Sequence, residues 1–198
     1  MTKDSQLDPA RSHRDYYSAL YQVALTITSS LELDAVLQSV VISITEAMQV
    51  KGCILRLLDP HSGHLRLSAV HGLSSGYLAK GPIDVDHSPI DSEALQGKTV
   101  IIHDASADPR FQYKEDARRE KIASVLCVPL EVHGRAIGVM RVYTAEPCTF
   151  GDDDIHFLSV LAGLSALAIE NANLYHNLKS SYDGVMDALW GSSLPEEV

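Results

Sequence analysis

The chain has 198 residues, of which 45% are hydrophobic and 21% charged, a make-up that excludes wholesale disorder. Its 26 Asp and Glu against 16 Lys and Arg leave a net charge of −10, which excludes nonspecific binding to nucleic-acid phosphates, because that requires clustered cations. At roughly 100–200 residues per domain this is one domain, long enough to bury a core without metal or disulfide staples.

No apolar run reaches the ~18–20 residues of a membrane span, so no transmembrane helix is expected. The stretch Met1–Gln6 has one lysine and no apolar segment behind it, so no signal peptide is expected either. The three cysteines, Cys53, Cys127 and Cys148, are odd in number and show no CxxC spacing, which suits a reducing compartment. These features together read as a soluble cytoplasmic protein without membrane or nucleic-acid partners. The nearest thing to a basic patch, Arg118-Arg119-Glu120-Lys121, has acidic neighbours and reads as a solvated helix surface.

Residues 1–14 are polar, contain Pro9 and read as a flexible lead-in. From Asp15 the pattern turns helical, with Tyr17, Leu20, Tyr21, Ala24, Leu25 and Thr28 on one face at three- and four-residue spacings. Ser29-Ser30 interrupts it. Asp34 opens a second helix with the stripe Leu37, Val40, Val41, Ile44 and Met48.

The middle of the chain is strand-like. Cys53–Leu58 is a short apolar run, and Asp59-Pro60-His61-Ser62-Gly63 supplies turn chemistry. Leu65, Leu67 and Ala69 alternate with Arg66 and Ser68 as one half-buried face, so the two segments form a hairpin. Thr99–His103 is another short strand. Ala123–Glu131 and Arg135–Thr144 flank His133-Gly134, a second hairpin signal, and Pro129 favours an edge or a bulge in its strand. Between the hairpins, residues 72–121 are loop-rich. They hold a short helix with Ser88 at the N-cap, Pro89 at its first position and Gly97 past its end, and another over about Lys114–Lys121.

The last element is long. Three aspartates, Asp152 to Asp154, sit where the helix dipole favours negative charge. Helical pattern persists to about Tyr182, some 30 residues or ~45 Å. From Phe157 to Ile169 it is apolar almost all round and so should be covered on two sides. Past Glu170 the stripe narrows to Ala172, Tyr175, Leu178 and Tyr182, a seam suited to a partner helix, and residues 179–198 are the helix end and tail. The element order α-α-β-β-(loop)-β-β-β-α makes the fold α+β. Its sheet is mainly antiparallel, with terminal helices on one face and a loop-covered face where a small-molecule pocket can form.

Several blocks resemble the GAF domain, a small-molecule sensor module. Cys53-Ile-Leu-Arg-Leu-Leu-Asp-Pro-x-x-Gly-x-Leu65, ending at His71-Gly72-Leu73, is similar to the family's first two strands. Gly97-Lys98-Thr99-Val100-Ile101-Ile102-His103-Asp104 with Asp108-Pro109-Arg110-Phe111 is similar to its central segment. Ser124–Leu130 with Gly134–Val139 resembles its last strands, and Phe150-x-x-x-Asp154 leading to Ala168–Tyr175 resembles its C-terminal helix. The resemblance covers about Tyr16–Leu178, and the sensor domain is bounded as residues 15–178.

The resemblance implies a six-stranded sheet with a ligand pocket on one face and dimerisation through the terminal helices on the other. It also implies a signalling partner such as a histidine kinase or nucleotide cyclase. No output domain follows within the sequence, which leaves a stand-alone sensor and part of a longer protein both open. Bilin-binding relatives use a Cys-His dipeptide that is missing here, so no covalent bilin is expected. The cyclic-nucleotide residue set is not recognisable, yet haem and cyclic nucleotide remain open as ligands. Among nine histidines, His71, His87 and His103 fall near the pocket segment, where one could serve as an axial haem ligand. His61 and His64 read as turn residues rather than metal ligands.

The pocket candidates are Tyr77, Phe111 and Tyr113 as aromatic walls, with His103, Asp104, Arg110 and Ser124 as polar contacts. No catalytic or metal residue is assigned. Some relatives of this family reduce free methionine sulfoxide with clustered cysteines; here Cys53 and Cys127 fall within strands, where a thiol acts as a small apolar group. The expectation is therefore a non-catalytic sensor of an unidentified small molecule that signals through dimerising helices. The alternatives are a dimerisation or protein-interaction module with a vestigial pocket, and a thiol redox enzyme of the methionine sulfoxide reductase type.

Overall fold

A computed structural model describes residues 9–29, 32–79, 81–111 and 113–190, with side chains over 15–28, 32–79, 81–111 and 113–186. The elements are α1 (Pro9–Ser29), α2 (Leu33–Ala47), β1 (Gly52–Leu58), β2 (His64–His71), α3 (Ser75–Leu78), β3 (Ile83–Asp84), α4 (Pro89–Leu95), β4 (Val100–Ile102), α5 (Lys114–Glu120), β5 (Val125–Val132), β6 (Arg135–Tyr143) and α6 (Asp152–Trp190). A 3-10 turn, Val85–His87, links β3 to α4. The expected lead-in falls outside the described residues up to Asp8, and from Pro9 the backbone is helical. Likewise α6 continues past Tyr182 to Trp190, and residues 191–198 lie outside the described residues.

The strands form a six-stranded sheet in the order β3-β2-β1-β6-β5-β4, antiparallel throughout. His133 and Gly134 both have positive φ, 51° and 75°, and Val132 pairs with Arg135 across them. This two-residue turn has the twist that matches a tight hairpin. Pro129 is accommodated as its chemistry requires: β4 pairs with β5 only as far as Cys127, so Pro129 lies on a free edge, next to a register shift at Leu130/Glu131.

The period-2 alternation of β1, β5 and β6 divides the molecule into two cores. Leu55, Leu126, Val128, Leu130, Met140 and Val142 face α1, α2 and α6, where Val23, Leu37, Ile44, Leu158 and Leu161 are buried. Ile54, Val125, Cys127, Val139 and Tyr143 face the other way, under Tyr77, Ile83, Ile90, Phe111 and Ile122. The described segments between β2 and β5, apart from the edge strands β3 and β4, thus form a lid over that second face.

Strand β2 departs from the simple alternation expected of it. Leu55 pairs with Ala69 and Arg56 with Leu67, leaving Ser68 as the extra residue of a bulge. The bulge switches faces, so Leu65 joins the lid-side core, Ala69 the helix-side core, and Leu67 is exposed.

Helix α6 corrects two expectations. Over Asp152–Met186 it is long and apolar enough to cross a membrane by length and composition. Small uncharged residues keep the segment apolar where a count of unbroken runs stops short. Phe157, Leu158, Leu161, Ala162, Ala166 and Ile169 are committed to the helix-side core. The opposite side is left open by the chain itself: Leu167 is 49% exposed, and Leu174, Tyr175, Leu178, Tyr182 and Val185 continue an exposed apolar strip past the body. Tyr17, Tyr21 and Leu25 of α1 are exposed as well.

Candidate functional site

The lid-covered face holds a cavity floored by the sheet. Ile54 and Arg56 of β1 and Arg141 and Tyr143 of β6 form the floor, while Ile83 of β3 and the lid residues Tyr77, Ser88, Ile90, Arg110, Phe111 and Tyr113 close it. Its free volume is only about 20 Å³, close to the room one or two waters occupy. A larger groove of about 200 Å³ runs between α1, α2 and α6, but Ile27, Leu33, Val36, Ala168, Ala172, Asn171 and Tyr175 give it little polar character. The sheet cavity is where polar side chains converge.

Register places the two floor arginines together. Arg56 stands opposite Val139, so Arg141, two residues on and on the same face, is its diagonal neighbour. Both are buried, at 5% and 6% exposure. Arg56 Nη1 donates to the carbonyls of Leu65 and Gly81, each at 3.2 Å. Arg141 forms an ion pair with Asp91 of α4, which is 0% exposed, and Asp91 Oδ2 also accepts from Ser88 Oγ at 2.6 Å. Ser88 occupies the N-cap of α4, but its hydroxyl serves this carboxylate and makes no backbone cap.

Charge and burial compete here. Burial pulls the Arg56 guanidinium below its usual pKa, and Arg141 adds like-charge repulsion. Burial acts on Arg141 in the same sense, but Asp91 overrides it and holds Arg141 above its usual value. Tyr77 and Tyr143 meet edge to face, with ring centroids 5.9 Å apart, and burial raises both phenols.

Each floor arginine therefore reaches across to the lid, one through Gly81 and the other through Asp91. Two further clasps hold the lid. Glu120 accepts from Ser74 N at 3.0 Å and from Ser74 Oγ, and meets Lys51 Nζ at 3.5 Å. Arg110 forms a bidentate pair with Asp108, at 3.1 and 2.8 Å, donates to Ile101 O at 3.2 Å, and faces Glu93 at 3.8 Å. The stretch around Glu120 is thus only partly the solvated surface expected: Arg118 and Arg119 are exposed, but Glu120 is buried.

Of the pocket candidates, Tyr77, Arg110, Phe111 and Tyr113 come together around this cavity. His103, Asp104 and Ser124 lie elsewhere. Asp104 Oδ1 caps its own turn, accepting from Ser106 N at 2.8 Å and Ala107 N at 3.3 Å. His103 is exposed, and Ser124 Oγ stitches loops by donating to His103 O at 2.7 Å and accepting from Cys148 N at 2.9 Å. His71 and His87 are also exposed and do not line the cavity; His87 Nδ1 sits 2.7 Å from Asp84 Oδ2. Among the described residues no group of three or more His, Cys, Asp or Glu gathers to hold a metal.

The three thiols are dispersed. Cys53 points into the helix-side core, Cys127 into the lid-side core, and Cys148 is half-buried in the loop before α6. Burial drives the Cys53 thiol up and pushes Cys127 to about 12, so neither supplies thiolate near neutrality. Arg56, Asp91 and Arg141 escaped the reading of the sequence. For Arg56 and Arg141 the signal was a charged residue inside an apolar strand, at positions whose period-2 partners, Ile54 and Val139, are buried; Asp91 lies in helix α4, where no such strand signal applies.

Fold and site together define an α+β domain with helices on one face of an antiparallel sheet and a lidded cavity on the other. A family model described as GAF domain matches residues 30–170, and the chain belongs to the GAF domain family, which is generally regulatory. Over 184 residues it is 26% identical to an uncharacterized sensor-like histidine kinase of Chloroflexus aurantiacus, covering 92% of this chain and 30% of that protein. The chain thus spans less than a third of that relative's length. The GAF domain of a phosphoenolpyruvate-protein phosphotransferase from Coxiella burnetii has a similar structure, with TM-score 0.75 at 21% identity over 83% of this chain and 98% of that one. A free methionine-R-sulfoxide reductase from Neisseria meningitidis, solved in complex with its substrate, gives TM-score 0.68 at 23% identity over 81% and 91% of the two chains. At these identities the structural likeness is one of fold.

Proposed function

We propose that this domain is a cytoplasmic, non-catalytic sensor. A small molecule enters the cavity between sheet and lid, and its occupancy is passed through the terminal helices of a homodimer to a signalling partner such as a histidine kinase. The observation that carries this reading is the pair of arginine ties from the sheet floor to the lid, Arg56 to Gly81 and Arg141 to Asp91. A molecule of more than a few atoms needs more than about 20 Å³, so the lid must rise, and those ties are what it rearranges. Binding biases the lid only by its differential affinity for the two positions. The exposed strip of α6 supports the dimer: Leu167, Leu174, Leu178 and Val185 recur at seven- and four-residue spacings, the pattern of a helix-pair seam.

The tightness of the cavity favours one second reading, an interaction module whose pocket is vestigial. Native mass spectrometry of the purified chain separates the two, with light scattering to fix the oligomer. The sensor reading expects a dimer carrying a noncovalent adduct that is lost on denaturation, or a dimer whose melting temperature rises with members of a metabolite panel. A dimer that is bare and insensitive to the whole panel sinks the sensor and leaves the interaction module.

A further inference from the structure

The cavity floor carries more positive than negative charge. Arg110 at the rim is matched by Asp108 and faces Glu93, and Arg141 is matched by Asp91. Arg56 has no ion pair of its own: among the described residues its hydrogen-bond acceptors are the two neutral carbonyls, and the carboxylate whose charge reaches it, Asp91, is already paired with Arg141, so two arginines share one counter-charge. A buried charge without a counter-charge is costly, because the interior does not replace the hydration it has lost. Arg141 Nε is also buried without a hydrogen-bond acceptor, although Arg141 is a diagonal neighbour of Arg56 on the same face of the sheet. One unmatched positive charge and one idle buried donor therefore share the floor. The walls above are apolar and aromatic, with Ile83, Ile90 and Phe111 over the floor.

Resting on the sensor reading above, we propose that the ligand is a small organic monoanion, a monocarboxylate with an apolar body, whose carboxylate is received by Arg56 and Arg141. A guanidinium presents a planar fork of donors that matches a carboxylate in two-point contact. A single negative charge neutralises the floor; a dianion such as a phosphate monoester leaves it net negative beside Asp91. The apolar body fills the space the lid vacates. The carboxylate also draws on the same guanidiniums that now hold Gly81 and Asp91, so charge recognition and lid movement are one event.

The test is thermal unfolding of the full chain in sodium butyrate, benzoate and phenylacetate, against the corresponding neutral amides and against sodium chloride at equal ionic strength. At least one carboxylate raises the melting temperature in a concentration-dependent way, by about 5–10 °C at a hundredfold excess over its Kd, and its amide does not. Arg56→Met abolishes the shift while the unliganded variant keeps the wild-type circular-dichroism spectrum and a cooperative unfolding transition, which separates lost recognition from lost folding. Arg56→Lys, which keeps the charge but not the fork, loses most of it. Amides that stabilise as well as the acids, or an Arg56→Met protein that keeps the full shift, overturn the monoanion while the sensor reading survives. Stabilisation by phenyl phosphate at about pH 8, where the monoester is a dianion, in place of the carboxylates overturns the single-charge argument. No shift from either series overturns the monocarboxylate, and the native mass spectrum then decides the sensor reading separately, by the presence or absence of some other bound molecule.

Discussion

Removing the Asp91 carboxylate is the sharpest perturbation of the site. Asp91 is the partner of buried Arg141, the acceptor of the Ser88 hydroxyl, and the anchor of α4 on the sheet. In Asp91→Ala the two arginines of the floor lose their only carboxylate among the described residues, and Ser88 loses its acceptor. Breaking a buried ion pair from one side costs about 3–5 kcal/mol, and the orphaned hydroxyl places the expected loss in the upper half of that range. For a chain of this length each kcal/mol moves the melting temperature by about 2–4 °C, so the expected drop is about 8–20 °C. Urea unfolding with linear extrapolation, in chloride buffer at pH 7, measures it. The double variant Asp91→Ala/Arg141→Met should recover most of the loss, since a buried pair replaced by apolar groups is often neutral. A loss below about 1 kcal/mol, or a double variant no better than the single, would refute the claim that this pair ties lid to sheet.

Glu120 gives a pH signature. Burial raises its pKa, but hydrogen bonds from Ser74 and the charge of Lys51 outweigh that and hold it below the usual carboxylate value. A folded-state pKa below the unfolded one adds stability above the unfolded value, about 4.3, and that stability is lost as pH falls through the folded value. Glu120→Gln should therefore cost about 1–2 kcal/mol at pH 7, with the gap to wild type closing below about pH 4; a gap that persists unchanged to pH 3 would contradict the clasp. Thiol titration at pH 8 should count at most one slowly reacting cysteine in the native protein, Cys148, and all three only after unfolding; rapid labelling of Cys127 would mean the lid-side core is open. A Cβ at Gly138 would stand 2.3 Å from Arg56 O, so Gly138→Ala must separate β1 from β6 and should cost about 1–3 kcal/mol by chemical denaturation, where a neutral result would show that the strands yield freely.

Much of the fold was legible because its elements obey periodicities of two and 3.6. The hairpin at His133-Gly134, the edge position of Pro129 and the helix opening at Pro89 follow from turn and cap chemistry alone. The short lid elements were not legible: α3 spans four residues and β3 two, too few for a period to show. The face switch of β2 was hidden because a bulge at Ser68 is set by pairing with β1, a partner choice the local pattern does not contain. The aromatic wall was readable from composition of the lid segment, whereas the floor was not. Arg56 and Arg141 lie 85 positions apart in sequence and meet only through the register of β1 with β6. His103 and Asp104, polar and in the right segment, turned out to serve the surface of their own loop.

Hydrogen exchange followed by mass spectrometry reads whether cavity occupancy is felt at the helix seam. The full chain is measured alone and with the carboxylate that raises its melting temperature most. Altered exchange is expected in two places at once, the lid segments between β2 and β5 and the α6 segment over residues 170–182, with both changes lost in Arg56→Met. Exchange that changes in the lid while residues 170–182 stay as they were would contradict the coupling and leave a pocket without a readout.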